Sequence, residues 1–160
     1  MRKIKRICVV IGSRANYSSI KSLLVELKKD DFFQLQIVVG FSALIENYGK
    51  VSDLIERDGF KIDSYIYAHL DGDHNTMMAK TTGLGIIELS SAFEKLKPDL
   101  VFTIGDRFET LATAISAAYM NIPLAHTMGG EVSGNLDESV RHAITKLAHI
   151  HFPASKESYD

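Results

Sequence analysis

The sequence predicts an α/β fold, a three-layer, doubly wound parallel sheet of Rossmann-like type. Three observations carry that prediction. Short, continuous β-branched runs recur along the chain, and three of them close on a glycine, as expected of strands buried on both faces. Segments with apolar residues at helical spacing lie between them, as in helices that cover a sheet. Strand and helix alternate from one end to the other, and such alternation builds parallel β-α-β units.

Each element follows from its residues. Arg6-Ile-Cys-Val-Val-Ile11 is the first strand, closed by Gly12. Ile20, Leu23, Leu24 and Leu27 share one helical face, so a helix is expected over Ser18–Lys29. Leu35–Val39 is the second strand, closed by Gly40. Leu44–Tyr48 and Val51–Arg57 read as short helical pieces broken at Gly49, and Lys61–Tyr67 as a short third strand. Thr76–Leu96 carries a long helical pattern, weakened in its first half by Gly83 and Gly85 and stopped at Pro98-Asp99. Leu100–Ile104 is the fourth strand, closed by Gly105. Phe108–Met120 is a helix whose alanine-rich face suits close packing. Ile122–His126, a helix over Asp137–Leu147, and His149–Phe152 complete the pattern. The polar tail Ala154–Asp160 is expected to begin another helix, so the chain reads as cut rather than finished.

Composition narrows the function. The chain has 160 residues, one domain's worth, with 46% hydrophobic and 24% charged residues and a net charge of −2. So balanced a charge gives no general attraction to nucleic acid or anionic membrane. No run approaches the ~20 apolar residues that span a bilayer, and the apolar run after the basic Met1–Arg6 is shorter than a signal peptide needs. Cys8 is the single cysteine, which excludes an intrachain disulfide and points to a reducing compartment, the cytoplasm.

In an open parallel sheet, ligands bind beyond the carboxyl ends of the strands. That rule selects the loops Gly12–Tyr17, Gly40–Ser42, Ala68–Asn75, Gly105–Phe108 and Thr127–Leu136. The first offers a helix N-terminus to an anion, with Arg14 as a bidentate phosphate partner and Ser18 as a hydroxyl. An ordinary turn with a surface Arg14 and Ser18 as helix cap is the alternative. In the fourth loop, Asp106 either faces the cleft or caps the next helix, and Arg107 either holds a phosphate or pairs with its neighbour. The fifth loop is the richest, from His126 through Gly129, Gly130, Glu131 and Gly134 to Asp137, Glu138, Arg141 and His142. Clustered acids that perturb one another suit proton transfer. Asp137 and Arg141, four apart on a helix, are expected to pair, and Asp137 is also a candidate cap.

Other chemistries fit poorly. His126, His142, His149 and His151 lack the spacing of a metal site, so no metal is expected. No G-x-S-x-G elbow marks a serine hydrolase. Asp71-Gly-Asp73-His-Asn75 lacks the spaced glutamate of a calcium loop.

Arg14-Ala-Asn-Tyr-Ser18, Gly105-Asp-Arg-Phe108, and the run from Gly129-Gly-Glu-Val-Ser-Gly134 through Asp137-Glu-Ser-Val-Arg-His-Ala-Ile-Thr-Lys-Leu147 resemble the amino-terminal domain of hydrolysing UDP-N-acetylglucosamine 2-epimerases, in the sialic-acid and legionaminic-acid branch. The resemblance implies one half of a glycosyltransferase-B-type two-domain enzyme, with residues 1–160 as the amino-terminal domain and the second nucleotide-binding domain absent from this chain. It implies elimination of UDP to a glycal, then hydration to the manno-configured sugar, with no cofactor, and a full-length enzyme that is a homo-oligomer. It carries catalytic roles to Asp106 and Asp137 and nucleotide contacts to Arg14, Ser18 and Arg107. Glu138, Arg141 and His142 are the remaining substrate-binding candidates. Relatives often carry Glu where this chain has Met128, and Asp where it has Asn16; methionine exchanges no protons, so Glu131 is the third catalytic candidate. A glycosyltransferase half of the same architecture, or a non-catalytic flavodoxin-like binding domain, are the competing readings.

Overall fold

The structure is a computed structural model that describes residues 3–72 and 74–159. Its strands are β1 (Lys5–Ile11), β2 (Phe33–Gly40), β3 (Ser64–Ile66), β4 (Leu100–Ile104), β5 (Leu124–Thr127) and β6 (Ile150–Phe152). The helices are α1 (Arg14–Lys29), α2 (Val51–Arg57), α3 (Asn75–Leu96), α4 (Phe108–Tyr119) and α5 (Leu136–Leu147). The strands make one six-stranded sheet in the order β3-β2-β1-β4-β5-β6, and every pairing is parallel. The doubly wound fold class therefore holds.

Alternate residues of a strand face opposite sides of a sheet, and β1 feeds two cores. Ile7, Val9 and Ile11 pack with Tyr17, Ile20 and Leu24 of α1 and Ile55 of α2. Cys8 and Val10 pack on the other side with Leu89 and Phe93 of α3, alanines of α4, and Ile144 of α5. Both faces are covered, which is why β1 is apolar throughout rather than alternating.

Several boundaries differ from the sequence reading. α1 starts at Arg14 because Ser13, not Ser18, caps it. β3 is only three residues long, and β5 begins after Pro123, which has no N–H to give a ladder. α3 runs unbroken through both glycines. At Gly85 the reason is packing: a Cβ there would sit 2.7 Å from the Phe41 ring and 3.1 Å from Ala112 Cβ. The tail makes a turn over 157–159 instead of a helix. Asp73, part of the loop weighed for calcium, lies outside the described residues. Among the described residues no helix is long and apolar enough to cross a membrane.

Candidate active site

The strand order reverses between β1 and β4, so their following loops diverge and leave a crevice between them. A cleft of about 350 Å³ occupies that place, and its walls include Ser13, Arg14, Asn16, Asp106, Arg107 and Met128. A second cleft of about 240 Å³ adjoins it and shares Tyr48 and Arg107 with it.

The floor is built by the first loop. Ser13 Oγ accepts from the Asn16 N–H at 3.2 Å, which starts α1. Asn16 is buried. Its Oδ1 accepts from the Gly12 N–H at 3.1 Å, and its Nδ2 donates to the Ile104 carbonyl at 3.1 Å. One amide thus ties the end of β1 to the end of β4. Arg14 stands exposed on the first turn of α1, where free N–H groups and the helix dipole favour an anion. Ser18 lies a turn further on, off the cleft, and its hydroxyl donates to the Arg14 carbonyl at 3.1 Å.

The wall opposite is held by Arg141. This side chain from α5 is buried, 4% exposed. Its Nε donates to Asp106 Oδ2 at 3.0 Å, its Nη2 bonds the same oxygen, and its Nη1 bonds the Glu131 carbonyl. The expected Asp137–Arg141 pair does not form. Arg141 points to the buried side of α5 whereas Asp137 is exposed in its first turn, and a doubly bonded, desolvated pair is the stronger one. Nor does Asp106 cap α4: the capping position is Arg107, without a side-chain bond.

Asn135, not Asp137, caps α5, accepting from the Glu138 N–H at 3.1 Å. Glu138 reaches back to accept from the N–H groups of Ser133, at 2.5 Å, and Gly134, a reciprocal capping arrangement. Those two N–H groups hold its carboxyl below the usual glutamate range. His142 faces Glu138 at 3.7 Å. Glu138 and His142 thus order the loop and each other, and neither lines the main cleft. Of the three carboxylates with a proposed catalytic role, Asp106 lines it, whereas Glu131 and Asp137 do not.

His126 serves the same loops from below. It is fully buried, with Nε2 donating to the Gly105 carbonyl at 2.8 Å, and hence Nδ1 accepting from Thr145 Oγ1 at 3.3 Å. Burial lowers its pKa, which favours the neutral ring this pattern needs. His149 Nδ1 accepts from the Leu124 N–H at 3.3 Å. Among the described residues no three His, Cys, Asp or Glu side chains group as metal ligands.

The loops selected from sequence contain Ser13 and Ser42 of the cleft wall, though without a role for either, and sequence reasoning missed Ser19 and Tyr48. It also missed Glu109, whose acid character within Gly105-Asp-Arg-Phe-Glu109 was the one available signal. Met128 lines the cleft with φ +63° and donates its N–H to the Phe152 carbonyl at 2.9 Å.

A parallel sheet with a cleft at its switch point, lined by arginines and an acid, defines a Rossmann-like domain, and helix N-termini and arginines are groups suited to anions. Comparison with known proteins makes this specific. The chain belongs to the UDP-N-acetylglucosamine 2-epimerase family, whose sequence profile matches residues 25–160. It is 40% identical over 155 residues to the UDP-N,N'-diacetylbacillosamine 2-epimerase (hydrolyzing) of Legionella pneumophila, covering 97% of this chain and 41% of that protein. It is 38% identical over 156 residues to the GDP/UDP-N,N'-diacetylbacillosamine 2-epimerase (hydrolyzing) of Campylobacter jejuni, covering 97% and 40%. The crystal structure of the UDP-GlcNAc 2-epimerase from Neisseria meningitidis bound to UDP-GlcNAc superposes with a TM-score of 0.82 at 22% identity, over 96% of this chain and 41% of that one. That likeness is one of fold. The chain spans about two fifths of the length of these relatives.

Proposed function

We propose that this chain is the amino-terminal half of a glycosyltransferase-B-type, hydrolysing 2-epimerase acting on a UDP-linked N-acetylated hexosamine, either UDP-N-acetylglucosamine or UDP-N,N'-diacetylbacillosamine. The observation that carries the reading is the identity to two relatives named as hydrolysing epimerases, over nearly the whole chain. The placement of Asp106 beside Arg14 and Arg107 in the switch-point cleft supports it.

The chemistry suits those groups. The C1–O bond to the diphosphate breaks with its electron pair leaving on oxygen, and the C2 proton is removed to give the glycal. Water then supplies a hydroxyl to C1 and a proton returns to C2 from the other face, releasing UDP and the manno-configured sugar. The C2 proton is not beside a carbonyl, so the leaving group departs early and positive charge gathers on the ring. Asp106, bonded to the Arg141 guanidinium, stabilises that charge, and arginines stabilise the departing diphosphate. Glu131 and Asp137 are the further acids proposed for proton transfer, and Ser18, Glu138 and His142 the outer binding groups. The whole enzyme is proposed to be a cytoplasmic homo-oligomer. The 160-residue chain alone is expected to show no turnover.

The test supplies UDP-N-acetylglucosamine and UDP-N,N'-diacetylbacillosamine to the full-length protein in D₂O and follows products by proton NMR. UDP release with deuterium at C2 of a manno product is the expected result. Release without C2 exchange, or transfer to an added sugar acceptor, would replace this reading with a transferase one.

A further inference from the structure

The structure holds one acid that neither the fold nor the proposed chemistry accounts for. Glu109, in the first turn of α4, is 3% exposed. Neither of its carboxylate oxygens has a hydrogen-bond partner in any other described residue; only its own backbone N–H acts on the carboxylate. Its stem is pressed against Gly12, where a Cβ would meet Glu109 Cγ at 2.7 Å. The stem therefore lies against the first loop, and Glu109 is not among the residues that line either cleft. Its one charged neighbour at contact distance is Arg107, with Nε 3.5 Å from Oε1. Burial pushes the Glu109 carboxyl up, and the Arg107 charge pulls it the other way. A buried acid with no hydrogen bond to another residue is a poor way to stabilise a fold, since an apolar side chain of the same shape avoids the desolvation. Unsatisfied buried groups of this kind concentrate where function needs them.

Arg107 shows what the acid is for. Its guanidinium carbon lies 5.4 Å from the centre of the Phe108 ring. With Nε facing Glu109 and the ring beside it, the terminal amines make no hydrogen bond within the described residues. The same side chain lines both clefts. We propose that Glu109 is a positioning residue: its buried carboxylate anchors the Arg107 guanidinium at the wall the two clefts share, so that the free amines present to an anionic ligand in a fixed direction. The proposal rests on the nucleotide-sugar reading above for the identity of the ligand, a diphosphate.

The test is a double-mutant cycle of Glu109→Gln and Arg107→Gln in the full-length protein, reading kcat/KM for the UDP-sugar together with Tm. Glu109→Gln keeps the shape and removes the charge. It is expected to lower kcat/KM by about 10- to 100-fold through misdirection of Arg107, with Tm unchanged or raised. The double variant is expected to be no worse than Arg107→Gln alone, because Glu109 acts only through Arg107. Losses that multiply, a kcat/KM within about twofold of wild type in Glu109→Gln, or an activity loss that tracks a fall in Tm each overturn the proposal. If the wild-type protein turns over no UDP-sugar, the functional reading has failed by itself. The same cycle is then read on affinity for inorganic pyrophosphate, where equal affinity in Glu109→Gln and wild type overturns the proposal and a loss absent from the Arg107→Gln background upholds it.

Discussion

The two ends of the sheet treat their polar groups in opposite ways. At the amino ends two acids tie the chain together. Asp99, ahead of β4, accepts from the Arg6 N–H at 2.8 Å and its Nε at 3.3 Å. Asp63, ahead of β3, accepts from the Ile37 N–H at 2.9 Å and from Lys61 at 3.0 Å. At the carboxyl ends satisfaction is incomplete: Asn16, Asp106 and His126 are bonded, whereas other polar groups are not. Of the buried polar side-chain atoms that lack a hydrogen-bond partner among the described residues, all but one belong to His69, Glu109 and Thr127, which follow or end β3, β4 and β5. The difference teaches which end is held by internal bonds and which leaves buried polar groups open to another partner. One end is stapled; the other keeps polar groups unspent, at a cost to the fold.

Substitutions at the two ends should therefore part activity from stability. The largest effect is expected at Asp106→Asn in the full-length enzyme, with kcat down about 10²- to 10⁴-fold and some loss of Tm as the buried Arg141 loses its charged partner. Asp137→Asn should lose activity on the same scale but leave Tm unchanged, since that side chain is exposed. Wild-type rates in either would remove that acid from the mechanism. Asn16→Ala crosses the divide, because it strands the buried Gly12 N–H. Urea unfolding should show about 1–3 kcal/mol lost, and an unchanged midpoint would show that the amide is not the tie described.

Smaller effects separate the ends more cleanly. Arg14→Ala should weaken UDP binding roughly tenfold with Tm unchanged, and calorimetry giving equal affinity would deny it a phosphate contact. Asp99→Asn should cost roughly 1 kcal/mol and leave activity alone. The Arg6 N–H holds the Asp99 carboxyl below the usual range. Its contribution is thus present above the ordinary aspartate pKa and lost as pH falls through the lowered one. Urea midpoints followed from neutral into acid pH should fall less steeply in Asp99→Asn than in wild type.

The fold was legible because strands covered on both faces must be apolar throughout and because glycines marked their ends; Ile7–Gly12 and Leu100–Gly105 show both. The carboxyl-end rule pointed to five loops, and the strand order of the structure singled out the pair after β1 and β4 that flank the candidate cleft. What stayed hidden was pairing across the chain. Asp137 and Arg141 are neighbours in sequence, yet Arg141 bonds Asp106, 35 residues away. Helical spacing reports which residues are able to meet, and only the packing of α5 on the sheet decides which do. Ser13 and Ser18 differ likewise: either hydroxyl can cap a helix, and the turn after Gly12 selects the first. Glu109 was invisible as a buried group because a first-turn acid ordinarily faces solvent and complements the helix dipole.

Arg141 has a consequence for motion. Its guanidinium and the Glu138 carboxylate both grip residues 131–134 and both belong to α5, with the capping Asn135 holding the Ser133 hydroxyl beside them. Release of that helix's first two turns, which carry both Glu138 and Arg141, therefore frees the glycine-rich loop and the Asp106 side chain in one event. In amide-exchange terms these residues form a single opening unit, less costly to open than the sheet, so Ser133 and Gly134 should exchange together, faster than any amide of β1.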